Sequence, residues 1–353
     1  MNDPVSTPPA GARRRLARLP IRIGRALLTL VLALAIAWAS LAILYSPLPV
    51  PEMVRAGLAL AFAWFGVWAL WMSHRPAMQL GFGALYAVVF LGWAFVEPSH
   101  DRPWRADVAV MPRATINGDN VRITGVRNFD YRSLDEFTPR WETRDVRISS
   151  ITGIDFYVSY WMPGPVGHTF LSFTFADAPP LAVSIETRPE VHEGFSPLQS
   201  LFKQFELIYV VGEERDLVGV RTNFRNENVY VFRLRLRAEL ARELFQVYMR
   251  RINELADRPE FYHLLSNSCT VNIVRYANKI GRTGGVDLRH FLNGWVDRYF
   301  YDARLLDTSL PFAEFRRRSR VSPEVSPTLG VEEFAQRIRK NVPGMDTERT
   351  GEP

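Results

Sequence analysis

The sequence predicts an α+β protein with a three-helix transmembrane region at its N-terminal end, and two observations carry that expectation. Three long apolar runs crowd the first hundred residues. Beyond them, short β-branched and aromatic stretches separated by turn residues give way to amphipathic helices. That is the pattern of an antiparallel sheet with helices packed against it.

The apolar runs come first. Ala26 to Tyr45 is 20 residues without a charge, Ala56 to Met72 gives 17, and Ala77 to Val96 gives 20 with only Gln79 strongly polar. Each is near the roughly 20 residues needed to cross a bilayer core. Trp38, Trp64, Trp68, Trp71 and Trp93 within them strengthen the reading as membrane spans. Ala37-Trp38-Ala39 before Ser40 resembles a signal-peptide cleavage site. The basic region before it is long, however, and the apolar stretch continues through Leu44, so the run is read as an uncleaved span. Arg13, Arg14, Arg15, Arg18, Arg22 and Arg25 precede the first span, and Arg75 lies between the second and third. The positive-inside rule then holds the N-terminus in the cytoplasm and puts everything after Glu97 on the far side. The localisation expected is the inner (cytoplasmic) membrane, multi-pass, with an extracytoplasmic C-terminal domain.

The formal net charge of +6 among 353 residues owes much to those arginines and to Arg316, Arg317, Arg318 and Arg320. It does not point to nucleic acid, and no nucleic-acid motif accompanies it. The organisation reads as a basic segment 1–25, spans within 26–96, a linker 97–106, a globular domain 107–315 and a polar tail 316–353. The tail has a mobile composition, with a short helix pattern at Val331 to Lys340. No internal repeat is present.

Within the globular domain, Asn117-Gly118-Asp119-Asn120 marks a turn before the strand Val121 to Val126. Val146 to Trp161 is extended. His168 to Phe175 alternates, Ala176-Asp177-Ala178-Pro179-Pro180 turns, and Leu181 to Glu186 returns, which makes a hairpin. Phe205 to Val211 and Val229 to Leu236 are further strands. Ala238 to Ala256 is an amphipathic helix whose stripe of Leu240, Leu244, Val247, Tyr248, Ile252 and Leu255 faces the core. A helical or mixed segment is expected from Asp287 to Leu306.

Cys269 is the only cysteine. It cannot form an internal disulfide or a zinc site of several thiolates, so it is either packing or a reactive thiol. Ser266, Asn267 and Ser268 supply N-cap chemistry ahead of it, Ile273, Val274, Ala277 and Ile280 recur at helical spacing, and Gly281 gives a stop. In a first helical turn, unpaired N–H groups and the helix dipole stabilise a thiolate.

A cysteine nucleophile needs a base, and the base an orienting group. Of the six histidines, His74 and His100 lie in a loop and a linker, His192 in a Gly- and Pro-containing loop, and His263 close in sequence to the cysteine. His290 is a weaker alternative. His168 opens a strand after Gly164-Pro165-Val166-Gly167, and the hairpin places it near Glu186 to Arg188 on the neighbouring strand. His168 is therefore the candidate base, Glu186 its candidate orienter and Arg188 a candidate oxyanion or head-group contact, with Asn267 as another oxyanion candidate. No metal or cofactor is expected.

The order of a histidine on a strand, a second strand with a polar residue, then Asn-x-Cys at a helix start resembles the permuted, NlpC-like branch of the papain fold. More closely, Met111-Pro112-Arg113-Ala114-Thr115-Ile116-Asn117-Gly118 through Asn128-Phe129-Asp130-Tyr131-Arg132 resembles the Lnb N-terminal periplasmic domain family. So do His168-Thr169-Phe170-Leu171-Ser172-Phe173, Ser184-Ile185-Glu186-Thr187-Arg188, Tyr209-Val210-Val211 and Asn267-Ser268-Cys269-Thr270. The similarity covers about residues 105 to 305. It implies a lipoprotein transacylase-like enzyme with His168 as base and Cys269 as acyl-accepting nucleophile, and partners comprising the bilayer, through residues 26–96, and a membrane lipid or lipoprotein substrate. Two departures stand out. Ser268 intervenes where the family usually reads Asn-Cys-Thr, and the spans precede the soluble domain here, whereas the enzyme that names the family carries membrane helices after it.

Two other readings stay open from the residues. One is an extracytoplasmic cysteine hydrolase acting on peptide or cell-wall amide bonds with the same dyad. The other is a non-catalytic membrane-anchored docking domain in which Cys269 is packing.

Overall fold

The computed structural model describes residues 10–48, 50–281 and 293–345, with side chains from Ile21 onward. The chain divides into two compact units, one of residues up to Glu97 with Phe202–Gln204, the other of the remainder.

The first unit is helical. α1 runs Ala10–Leu44, α2 runs Glu52–Val67 and continues into a π turn at Trp68–Met72, and α3 runs Pro76–Ala94. Pro51 precedes α2 and Pro76 opens α3, positions where a missing N–H costs no helical bond. All three helices are long and apolar enough to cross a membrane. Their outward faces carry Leu30, Leu34, Leu60, Leu80 and Val88, while Ile36, Ala39, Phe62, Ala69 and Phe82 form a small interior. A Cβ at Gly66 would come within 2.9 Å of Ile36 and Phe82, so the glycine lets the helices approach closely.

The second unit is built on one large sheet. Its strands are β1 (Arg113–Asn117), β2 (Asn120–Arg127), β5 (Trp141–Arg147), β6 (Ile151–Tyr160), β7 (His168–Phe175), β8 (Leu181–Arg188), β9 (Glu206–Glu213) and β10 (Asn228–Arg233). A small ribbon of β3 (Asp130–Tyr131) and β4 (Phe137–Thr138) stands apart. The order is β1-β2-β9-β8-β7-β6-β10, with β5 on the other edge of β2. Every pairing is antiparallel except the single parallel contact of Arg127 with Gly212. The expected extended run from Val146 to Trp161 is broken by a 3-10 turn at Ile148–Ser150, where β5 ends and β6 begins.

Both faces of the central strands are covered, and their alternation sorts residues between two cores. On one face Ile154, Phe156, Leu171, Phe173, Val183, Ile185, Tyr209 and Val211 meet α5 (Ala238–Asp257) and α6 (Cys269–Lys279). The buried stripe of α5 is Ala241, Leu244, Phe245, Tyr248, Met249, Ile252, Leu255 and Ala256, while Leu240 and Val247 lie only half-buried at its margin. Each large apolar side chain buried this way contributes roughly 1.5–3 kcal/mol. On the other face Tyr157, Phe170, Ala182, Ile208 and Val210 meet α4 (Glu214–Gly219) and the C-terminal segment.

The C-terminal segment corrects an expectation. Residues 316–353 read as a mobile tail, yet its described part to 345 is fixed to the domain. After α7 (Val296–Asp302) and α8 (Phe312–Arg318), Val231 N donates to Ser319 O and Val321 N to Val229 O, both at 2.9 Å, along the free edge of β10. α9 (Val331–Arg339) then buries Phe334, Ala335 and Ile338. Its stripe is short, and composition alone hides it among polar residues. Arg339 supplies the rest of the attachment. Its guanidinium reaches Asp155 at 2.7 Å and Glu214 at 2.6 Å, and Tyr157 OH donates to the same Glu214 carboxylate at 2.8 Å. Burial pushes the Asp155 carboxyl up, but Arg339 and Arg233 outweigh it and hold the group ionised below the usual range.

Removing one partner of a buried ion pair leaves an uncompensated charge. Arg339→Leu is therefore expected to destabilise the domain by about 3–5 kcal/mol, read by chemical or thermal unfolding of the detergent-solubilised chain. Arg337→Ala, which breaks only the exposed pair with Glu333, is expected to cost less than about 1 kcal/mol.

Candidate active site

Cys269 is the first residue of α6 and is 2% exposed. Ser268 occupies the N-cap with extended backbone, φ −97° and ψ 173°, but makes no side-chain cap hydrogen bond. Capping by side chain, expected from Ser266, Asn267 and Ser268, is thus not how the helix begins. Gly281 ends it at φ +87°, the left-handed turn expected of a C-terminal glycine. α6 is fixed to β7 by a buried hydrogen bond between Thr270 Oγ1 and Thr169 Oγ1 at 2.8 Å. Thr169 follows His168, and so the contact brings the cysteine to the histidine's end of the strand.

The observed hairpin register pairs Phe173 with Leu181 and Phe170 with Ser184. Its continuation sets His168 level with Glu186, the near end of the expected Glu186 to Arg188. His168 Nε2 lies 2.6 Å from Ser184 Oγ and 3.8 Å from Glu186 Oε1. Glu186 is more tightly held by Arg221, whose Nη2 donates to the same oxygen at 2.7 Å. Burial pushes the Glu186 carboxyl up, but Arg221 first and His168 next hold it well below the usual carboxylate range. The closest partner of the imidazole is therefore Ser184, and Glu186 faces it as a fixed negative charge at longer range.

The electrostatics of Cys269 follow from these neighbours. Burial pushes its thiol up. The hydrogen bond and charge of His168, followed by hydrogen bonds from the backbone and side chain of Thr169, outweigh burial and bring the pKa down to about 6. Tyr262 completes the surroundings: it is buried, its hydroxyl bonds the Cys269 backbone and thiol, and burial pushes its own pKa well above the ordinary value.

Two expected site residues do other work. The Asn267 carboxamide is occupied at both ends, with Nδ2 donating to Phe261 O at 2.9 Å and Oδ1 accepting from Asn272 at 2.9 Å. It shapes the turn ahead of α6. Arg188 is turned instead onto the linker's Trp104 and the short turn after it, donating to Val108 O at 3.0 Å and Ala109 O at 2.7 Å, with its guanidinium 4.3 Å above the Trp104 ring. Burial lowers its pKa to about 10. An arginine satisfied by two backbone carbonyls and an aromatic face has little left for an oxyanion.

The residue that the sequence reading missed is Asn293. Its Nδ2 points to Cys269 Sγ at 3.7 Å, and its Oδ1 accepts from Gly167 N, next to His168, at 2.8 Å. Gly294 beside it donates to Pro165 O at 2.9 Å, and a Cβ there would lie 2.6 Å from the Pro165 carbonyl carbon, so only glycine fits. Asn-Gly is a turn signal, but nothing in it announces a partner 24 residues back. Arg221 and Ser184 carry no sequence signal at all. His290 lies outside the described residues.

With this geometry in view, residues 137–295 match the Lnb N-terminal periplasmic domain family. This segment of the chain is similar to the Lnb N-terminal periplasmic domain. The matched segment holds β5 to β10, α5 and α6, and with them His168, Glu186, Cys269 and Asn293. No curated protein and no solved structure matches the chain. A match to a periplasmic domain family, preceded in the chain by helices of membrane-spanning length, fits a membrane protein with a periplasmic domain.

The thiol shift gives a direct measurement. Alkylation rate of Cys269 against pH is expected to show a midpoint near 6, and His168→Ala is expected to move that midpoint upward toward the free-thiol reference of about 8.5. The same linkage makes the Cys269 contribution to stability complete above the unfolded thiol value and lost as pH falls through about 6.

Proposed function

We propose that this protein is a membrane-anchored, extracytoplasmic cysteine acyltransferase acting on a membrane lipid or lipoprotein, with a permuted NlpC-like arrangement of its site. The single observation that supports the reading is the junction of β7 and α6, where the Thr169–Thr270 hydrogen bond brings a thiol buried at a helix start to the strand end that carries His168. With Nε2 engaged by Ser184 and Glu186, Nδ1 is the ring nitrogen left for the thiol.

The reaction has two halves. The Cys269 thiolate attacks the ester carbonyl carbon, an S–C bond forms, and negative charge moves to the carbonyl oxygen. The Asn293 carboxamide, 3.7 Å from the sulfur, and the N–H groups of the first turn of α6 are the donors offered to that oxygen. When the tetrahedral species collapses, the C–O bond breaks and the imidazolium of His168 returns a proton to the leaving alkoxide. An acceptor hydroxyl or amine then gives its proton to His168, attacks the thioester and releases the thiolate. Burial of Cys269 favours transfer over hydrolysis, because a thioester shielded from water outlasts the wait for an acceptor. The arginines ahead of the first apolar run support the inner membrane as the anchor site, with three crossings and the Lnb-like domain outside the cytoplasm.

Mass spectrometry of protein taken from its own membranes is expected to find a hydroxylamine-labile fatty-acyl mass on the Cys269 peptide and none in Cys269→Ala. A free thiol together with Cys269-dependent peptide cleavage would replace the transferase with a hydrolase. Full biological activity of Cys269→Ala would remove both and leave a docking module. Compartment-specific reporters fused after Tyr45 and at Leu310 are expected to report the far side, and a reporter after Met72 the cytoplasm. A cytoplasmic signal at Leu310 defeats the topology.

A further inference from the structure

Several loops meet at the end of the sheet where β6 and β8 stop and β7 and β9 start. They leave large apolar side chains in solvent: Trp161 and Met162 after β6, Phe195 between β8 and β9, Leu265 in the turn before Cys269, and Trp295 beyond Asn293, all between 42% and 56% exposed. These residues are not scattered. The Trp161 and Phe195 rings meet edge-on with centroids 6.2 Å apart. Gly294, next to Trp295, is hydrogen-bonded to Pro165 in the loop that begins with Trp161. A bridge between His263 and Asn267 holds the Leu265 turn directly ahead of the cysteine. The exposed residues therefore form a rim around the buried thiol.

Three observations say what covers the rim. Segments 161–167, 194–201 and 261–268 contain no Asp, Glu, Lys or Arg, so placing them in a low-dielectric layer strands no formal charge. Tryptophan, phenylalanine and leucine at protruding loop tips are the side chains that partition to a bilayer interface. The third observation is topological. α3 ends at Ala94, and by Ser99 the backbone already donates to Glu206 Oε1 at 3.1 Å. Arg105 N donates to Pro189 O at 3.1 Å, and Trp104 bridges Glu190. Glu206 pairs with Arg188 at the same sheet end as His168, so the chain joins the domain at the end that carries the rim.

We propose that this rim is a lipid-docking surface: Trp161, Met162, Phe195, Leu265 and Trp295 enter the interfacial layer of a phospholipid bilayer and present Cys269 to an ester held there. The presentation step rests on the acyl-transfer reading; the docking does not.

The test uses the full chain with Cys269→Ala, so that one introduced thiol is the only one, reconstituted in phosphatidylcholine–phosphatidylglycerol vesicles. Met162→Cys, Phe195→Cys and Leu265→Cys each carry a polarity-sensitive fluorophore. Leu134→Cys, in the turn between β3 and β4 and likewise exposed, is the control. Rim labels are expected to be quenched at least about twofold more by doxyl-labelled lipid than by aqueous iodide, with the order reversed at Leu134. Rim labels quenched by iodide as fully as the Leu134 label, and blind to doxyl lipid, overturn the proposal and leave the rim to a protein partner. The readout needs no thiol chemistry. Lipid-quenched labels without an acyl adduct on the unaltered chain would remove the transferase and keep the docking, and the converse pair of results would do the reverse.

Discussion

The arrangement depends on β7 having both faces covered. A strand sends consecutive side chains to opposite faces. Phe173 and Leu171 go into the core beneath α5 and α6, and Phe170 goes into the core beneath α4 and α9. At its first residues the same alternation divides the site. Thr169 meets Thr270 on α6, while His168 meets Ser184 and Glu186. A one-residue slip of β7 would exchange these roles, taking Thr169 from Thr270 and His168 from Ser184 and Glu186. The long pairing with β6, from Ile151↔Phe175 to Ser159↔His168, is what resists that slip.

Charge is buried mainly on the α4 side, and each charge is paired there. Arg127 and Asp216 bond at 2.8 Å, and Phe129 N donates to the same carboxylate. Asp155 and Glu214 share Arg339, while Glu186 is held by Arg221. Desolvating these groups is costly, and the pairing offsets that cost. The network has a consequence for the site. Glu186 is ionised and stationary because of Arg221, so it presents a constant field to His168 and is not free to swing into a hydrogen bond. Ser184, fixed on the adjacent strand, takes the short contact.

Around Cys269 the surroundings are aromatic and apolar. Tyr262, Tyr276 and Tyr248 lie in the same core as the cysteine, and the nearby Tyr209 and Tyr276 hydroxyls are hydrogen-bonded to each other. A thiolate there survives only because His168, Thr169 and a helix start address it directly.

The sequence by itself determined most local elements and singled out Cys269 as the one thiol at a helix start. Hydrophobic period distinguished spans, strands and helices, since burial on one face imposes that period. A lone cysteine after Ser-Asn-Ser announced its helix start, and the hairpin placed His168 beside Glu186. The assignment of Arg188 and Asn267 failed because a polar side chain's partner is set by whatever backbone folds over it. For Arg188 that was the turn at Val108 and Ala109, and for Asn267 its own turn. Asn293, Ser184 and Arg221 were invisible for the same reason. The attachment of residues 316–345 was hidden because it comes from one buried arginine, the short stripe of α9 and a strand edge, not from composition. Tertiary structure alone decided these matters, because long-range hydrogen bonds and desolvated charges leave no periodic trace along the chain.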